Sequence, residues 1–290
     1  MPAPVQLVRS FPYAASLRQE LNWRNRQYAS RMGLVQCESY GEQPVVCYLP
    51  AEDAATHGNF LPQTYQAILS NPGWRRRLNK PHTSARHVLP RSDRQWRELD
   101  SCTSSDALLM NIFCFPGTLK QNLVLSLLGA EHGCEPQFGF RARVPLANRH
   151  SDRTEVDMRL GGLLVEAKLT EGDFQSKLAQ VVESYRDLGE VFEVARLPQR
   201  EGVFLSYQLI RNVLAAYAND CSFCVMMDAR RPDLREAWYA VMRCVRPHEL
   251  RLRCKMLTWQ ELVEAVPTLL QNFLDEKYGI GRDGRRAACE

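Results

Sequence analysis

Glu155-Val156-Asp157-Met158-Arg159-Leu160-Gly161-Gly162-Leu163-Leu164-Val165-Glu166-Ala167-Lys168 is two alternating runs joined by a glycine pair. Val156, Met158 and Leu160 alternate with Glu155, Asp157 and Arg159. Leu163, Val165, Ala167 and Leu169 alternate with Leu164, Glu166 and Lys168. Period-two alternation marks half-buried strands, and two glycines can take the positive φ that a two-residue hairpin loop needs. The loop sets the register. Leu160 then pairs with Leu163, Met158 with Val165, Asp157 with Glu166, and Glu155 with Lys168. Opposed residues share a face, with Cβ atoms roughly 5 Å apart. The hairpin is expected to have one apolar face and one face carrying three carboxylates and an ammonium.

Opposed carboxylates repel each other, so a cation is expected between them. Mg²⁺ suits the place, because it takes one or two protein carboxylates and keeps waters and phosphate oxygens as its other ligands. Such an ion lowers the pKa of water and offsets charge developing on a phosphate. Lys168 is placed to position or deprotonate that water, or to stabilise the transition state. The competing reading is an ordinary surface hairpin with a solvated charged face.

At these residues the chain resembles the PD-(D/E)xK nuclease superfamily, whose signature is an acid ending one strand and (D/E)-x-K on the next. Asp157 takes the first position and Glu166-Ala167-Lys168 the second, with Val156 where proline often stands. The runs Ser104–Phe113, Val165–Glu171 and Tyr207–Asn212 are also similar to a bacterial family of restriction endonucleases. The resemblance implies a restriction-endonuclease-like α/β core, a mixed central sheet flanked by helices. It implies catalytic Asp157, Glu166 and Lys168, with Mg²⁺ (Mn²⁺ able to substitute) held by Asp157, Glu166 and the Ala167 carbonyl. A helix before the hairpin often adds an acid in such nucleases, and Glu131, then Glu135, are the candidates. The implied activity is metal-dependent endonucleolytic hydrolysis of DNA, with a non-catalytic nucleic-acid-binding protein on a nuclease scaffold as the alternative. A homodimer, a cognate methyltransferase or a defence-system partner are further implications of the resemblance, and no residue pattern shows them.

The 290 residues carry 45% apolar side chains and a net charge of +4, which excludes a disordered chain and gives no strong electrostatic argument for nucleic acid. No apolar run approaches the ~18 residues that span a bilayer, and no basic-then-apolar leader opens the chain. A cytoplasmic protein is expected. Of ten cysteines, only Cys221 and Cys224 are close in sequence. On a strand they would face opposite ways, so reduced thiols are expected rather than zinc.

Three segments are expected: a mainly helical, basic extension over 1–100, a nuclease-like domain over 101–278, and a frayed tail over 279–290. Between Trp74 and Arg97 basic and aromatic residues interleave, including Arg75, Arg76, Arg77 and Lys80, a composition suited to a phosphate backbone and equally to a solvated linker containing Pro81 and Pro90. Helices are expected over 13–32, 62–69, from a Ser104–Asp106 cap to Phe113, and over 119–128. Strand Phe138–Val144 precedes the hairpin. After it, Phe174, Leu178, Val181, Val182, Tyr185 and Leu188 recur at helical spacing. That helix would present Gln175 and Lys177 to nucleic acid, and the helix from Tyr207 would add Arg211. Phe223–Met227 reads as a central strand, Pro232–Met242 as a helix and Leu250–Leu257 as a strand. A closing helix from Thr258 follows, kinked at Pro267.

Overall fold

The central sheet is built from five strands. The computed structural model describes residues 12–39, 44–49, 55–81 and 97–281. Strands β1 (Pro136–Arg141), β2 (Glu155–Leu160), β3 (Leu163–Ala167), β4 (Ser222–Met227) and β5 (Cys254–Thr258) lie in the order β5-β4-β3-β2-β1. The first three are antiparallel neighbours, and β4 runs parallel to both β3 and β5. Phe223 to Met227 of β4 are all buried, as a strand covered on both faces must be.

Helices cover both faces. Helices α1 (Pro12–Met32), α4 (Ser105–Phe113), α5 (Asn122–Leu128), α9 (Trp259–Val263) and α10 (Thr268–Tyr278) share one apolar cluster with Met158, Leu163, Val165 and Met226. Helices α6 (Tyr207–Ala218), α7 (Pro232–Met242) and α8 (His248–Arg253) build the other, with Leu164, Phe223 and Val225. A smaller cluster joins α2 (Pro62–Ser70) to α4 through Tyr65, Ile68, Ala107 and Met110, with Trp74 of α3 (Pro72–Arg75) packed on it. This layered α/β core around a mixed sheet is the architecture the resemblance implies. Among the described residues, no helix is long and apolar enough to cross a membrane. The nine described cysteines are free thiols, and Cys221 and Cys224 belong to opposite apolar clusters.

The hairpin has the expected register, with Leu160 opposite Leu163 and Met158 opposite Val165. Of the two turn glycines, Gly161 has positive φ, at +56°. The apolar face departs from strict alternation at one place. Val156 packs in the cluster opposite to that of Met158 and Leu160. Its neighbour β1 does the same: Phe138 packs on the first cluster and Phe140 on the second. Between them Gly139 takes φ +66°, a conformation that breaks the two-residue period. Glu155 therefore leaves the face of Lys168 and pairs with Arg77 at 2.8 Å and Arg141 at 3.7 Å.

Three other segments correct the periodic reading. Residues 174–188 are not one helix. Gln175 takes φ +59°, Ser176–Leu178 pairs antiparallel with Val203–Leu205, and only the short helices Ala179–Val182 and Leu188–Val191 follow. The strand partner lies far along the chain, where helical spacing carries no record of it. In the segment expected as strand Leu250–Leu257, helix α8 runs to Arg253 and β5 starts at Cys254. The closing helix is two helices, since Pro267 has no amide hydrogen to continue the first. The basic residues of 82–96 and the tail beyond 281 lie outside the described residues.

Candidate active site

The end of β3 projects Glu166 and Lys168 into the protein, and both side chains are almost fully buried. Lys168 Nζ lies 2.8 Å from Glu166 Oε1. Asn212 on α6 donates to the other oxygen, Glu166 Oε2, at 2.8 Å. Asp157 of β2 stands beside them, its Oδ2 accepting the Ala167 amide hydrogen at 2.8 Å. That bond ties the acid of one strand to the residue between the acid and the lysine of the next. The structure thus brings Asp157, Glu166, Ala167 and Lys168 together.

A further charged group joins them from a helix on one face of the sheet. Helix α4 begins at a Ser104 cap whose hydroxyl accepts from the Ala107 amide at 3.1 Å. Asp106 sits in its first turn, where a negative charge faces the helix dipole favourably. Burial alone would raise the Asp106 carboxyl, but Lys80 and Arg77 outweigh it and hold the carboxyl below its ordinary range. Arg77 Nη2 lies 3.1 Å from Asp106 Oδ2, and Lys80 Nζ donates to the same oxygen.

Asp157 has the opposite balance. Burial first, then the carboxylates of Glu166 and Asp106, push its carboxyl up to about 8, against the pull of Lys168 and Lys80. For Lys168, burial disfavours the ammonium, but Glu166, Glu171 and Asp157 together prevail and raise it above its ordinary value. The geometry thus presents Lys168 as an ammonium that donates to Glu166.

The turn after Lys168 is clamped. Arg231, fully buried, donates to the carbonyl oxygens of Leu169, Glu171 and Gly172 at 2.8–3.0 Å. Trp259 Nε1 donates to the Lys168 carbonyl at 2.9 Å. Glu171 accepts from the Ser105 hydroxyl and from the Leu169 amide. Three elements distant in sequence thereby hold one lysine.

Above the acids lies a cleft of about 650 Å³ lined by Asp157, Glu155, Arg76, Arg77, Asn79 and Lys80, among others. The wall of basic residues comes from α3 and the turn of 3-10 helix after it, Arg76–Asn79. Arg75 is exposed but does not line this cleft. Gln175 and Lys177 are exposed, on the small antiparallel sheet and the turn before it rather than on a helix. Arg211 departs from the expected role. It is 2% exposed and donates to the backbone carbonyls of Thr154 and Glu155, so it holds the start of β2 from inside.

Glu131 is exposed beyond the end of α5, which closes at Gly129 with φ +60°. Glu135 precedes Pro136, which pairs with Leu160. At about 3.3 Å per strand residue it lies roughly 13 Å along the sheet from Asp157. The helix-borne acid facing Asp157 is Asp106. The signal for it was an acid in the first turn of an apolar helix before the hairpin, in a segment legible only as a cap.

Asp157 and Glu166, with the Ala167 carbonyl and Asp106 nearby, are the groups that could hold a cation. Among the described residues, no three His, Cys, Asp or Glu side chains gather to enclose an ion unaided.

A family model described as Restriction Endonuclease associating with ARP matches residues 20–279. No curated protein and no solved structure matches the chain.

Proposed function

Because the chain belongs to the restriction endonuclease family associating with ARP, we propose that it is a metal-dependent nuclease that hydrolyses phosphodiester bonds in DNA at Asp157, Glu166 and Lys168. One observation carries this reading. Asp157 lines a cleft walled by arginine and lysine, and directly beneath it, tied to it through the Ala167 amide, Glu166 and Lys168 form a buried ion pair at 2.8 Å. A solvated surface hairpin would have no reason to bury these groups, since buried charge is costly unless it is paired or binds a ligand.

Asp157, Glu166 and the Ala167 carbonyl would hold Mg²⁺, or Mn²⁺ in its place, with Asp106 as the further acid. The ion supplies charge neutralisation at the scissile phosphate and a more acidic water. Lys168, kept as an ammonium, donates a hydrogen bond to the attacking water or to a phosphate oxygen whose charge grows in the transition state. Asn212 fixes the Glu166 carboxylate so that its other lone pairs point to the site. Arg76, Arg77 and Lys80 on the cleft wall draw the phosphate backbone toward Asp157.

The test is incubation of the purified chain with plasmid, single-stranded DNA and RNA in Mg²⁺, Mn²⁺ or EDTA, with Lys168→Ala and Asp157→Ala alongside. Cutting that needs metal and is lost in both folded variants is expected. Full activity in both variants overturns the assignment. Salt-sensitive binding without cutting points to the non-catalytic alternative.

A further inference from the structure

The cleft over Asp157 does not end at the acids. It continues into a second hollow of about 450 Å³ lined by Trp74, Arg76, Gln137, Phe138, Phe140 and Arg141, among others. Gly73, Arg76, Phe138 and Gly139 line both. The second hollow follows β1, the outermost strand of the sheet. Six residues of β1 give the groove a run of roughly 20 Å.

Its lining combines aromatic rings with guanidinium groups. Trp74 meets Phe138 edge to face, with ring centroids 6.4 Å apart, and its indole donates to the Pro136 carbonyl at 2.9 Å. That bond orients the tryptophan on the sheet edge. Phe140 carries the Arg159 guanidinium at 4.8 Å from its ring centre. All three rings are partly exposed. Arg76 is exposed, and Arg141 has two thirds of its side chain exposed, with Glu155 3.7 Å away. Glu135 is the one acid lining this second hollow.

Rings beside arginines suit nucleic acid in one particular form. In a duplex, the bases stack on each other and offer only their edges to a protein. An unpaired strand turns its base faces outward, and each base that stacks on an aromatic ring adds affinity, while a basic groove follows the phosphates. From this geometry we infer that the β1 groove holds an unpaired strand of DNA. Its bases lie against Trp74 and Phe138, its phosphates toward Arg76 and Arg141, and the strand runs into the cleft at Asp157. The direction toward Asp157 rests on the nuclease reading; the groove's choice of ligand does not. The substrate this implies is DNA with a single-stranded segment at or next to the cut.

Binding in EDTA tests the groove without cleavage. The full chain is titrated into fluorescein-labelled oligothymidine of about fifteen nucleotides and into a duplex of equal length, read by anisotropy. The single strand is expected to bind about tenfold or more tightly than the duplex. Trp74→Leu is expected to weaken single-strand binding about tenfold and leave duplex binding unchanged. Arg141→Glu, on a side chain two thirds exposed, is expected to weaken single-strand binding and lower its salt dependence, with circular dichroism confirming that the variant is folded. Equal affinity for both forms, or single-strand affinity untouched by Arg141→Glu, overturns the inference. A protein that prefers the single strand but never cuts would refute the nuclease reading alone. One that cuts without preference would refute the groove alone.

Discussion

Replacing Asp157 by Asn should make the metal-free protein more stable while removing its activity. Asn keeps an oxygen for the Ala167 amide, which Asp157 now satisfies at 2.8 Å, and removes a charge that is costly because it is buried and because it lies near Glu166. Two unit charges about 5 Å apart at an effective dielectric constant of about 20 repel by about 3 kcal/mol. Lys168 offsets part of this from the other side of Glu166, so a gain of about 1–3 kcal/mol is expected. The sign follows from the proton. The folded carboxyl is raised from an ordinary 3.8 to about 8, so between these values the folded state holds a proton that the unfolded chain has lost. Wild-type stability then falls as pH rises through that window, and the full penalty is present above about 8. Asn cannot ionise, so the variant should match wild type near pH 4, exceed it by pH 7, and hold its full margin at pH 9. Thermal unfolding in EDTA followed by circular dichroism is the assay. At about 2 °C per kcal/mol for a chain of this size, the margin at pH 9 is about 2–6 °C. Excess Mg²⁺ should raise the melting temperature of wild type and leave the variant unchanged. A variant no more stable than wild type at pH 9 would refute the argument that these carboxylates strain the metal-free fold.

Asn212→Ala leaves Glu166 Oε2 without its donor at 2.8 Å, and a loss of about tenfold to a hundredfold in metal-dependent cutting or metal affinity is expected, measured by plasmid nicking and by Mg²⁺ titration calorimetry. Gly139→Ala puts a methyl group 2.5 Å from Arg77 Nη1 and 3.0 Å from Glu155 Oε2, at a φ of +66°. A stability loss of about 1–3 kcal/mol in urea unfolding is expected, and an unchanged midpoint would show that the glycine is not required there. Lys277, fully buried, donates to Gly58 and Asn59 and lies among the rings of Tyr28, Tyr48, Phe273 and Tyr278. Burial holds it well below the ordinary lysine value of 10.5. The unfolded chain then binds the extra proton, so stability should rise with pH toward 10.5. Lys277→Met should flatten that rise in urea midpoints measured at successive pH values.

Several parts of the fold could be read from local pattern. The Gly161-Gly162 loop set the hairpin register, because a two-residue loop leaves one pairing open to an alternating sequence. Ser104 marked the start of α4, and the apolar run at Phe223–Met227 marked a strand covered on both faces, since capping and burial depth are written in the residues themselves. Placing Asp157 beside Glu166 and Lys168 followed from that register. Periodicity failed at 174–188, where a positive φ at Gln175 and a strand partner at Val203–Leu205 outweighed an apolar spacing that suits a helix.

What only the tertiary structure decided is the surroundings of the hairpin. Asp106 arrives from α4, Arg77 and Lys80 from the turn after α3, Asn212 from α6, and Arg231 from the start of α7. Each of these residues has an unremarkable local role in sequence: a first-turn acid, a basic run, a polar helix position, a residue before a proline. Their chemistry comes from convergence, and convergence depends on how helices from two layers pack on one sheet. The strand pattern of this chain brings Asp157 next to the Glu166-Ala167-Lys168 segment by itself, because a hairpin register is a local property. The charge balance around them, with the Asp106 carboxyl held below its ordinary range by two cations and the Asp157 carboxyl pushed above it, depends on burial and on distances across the fold, which no local stretch of sequence contains.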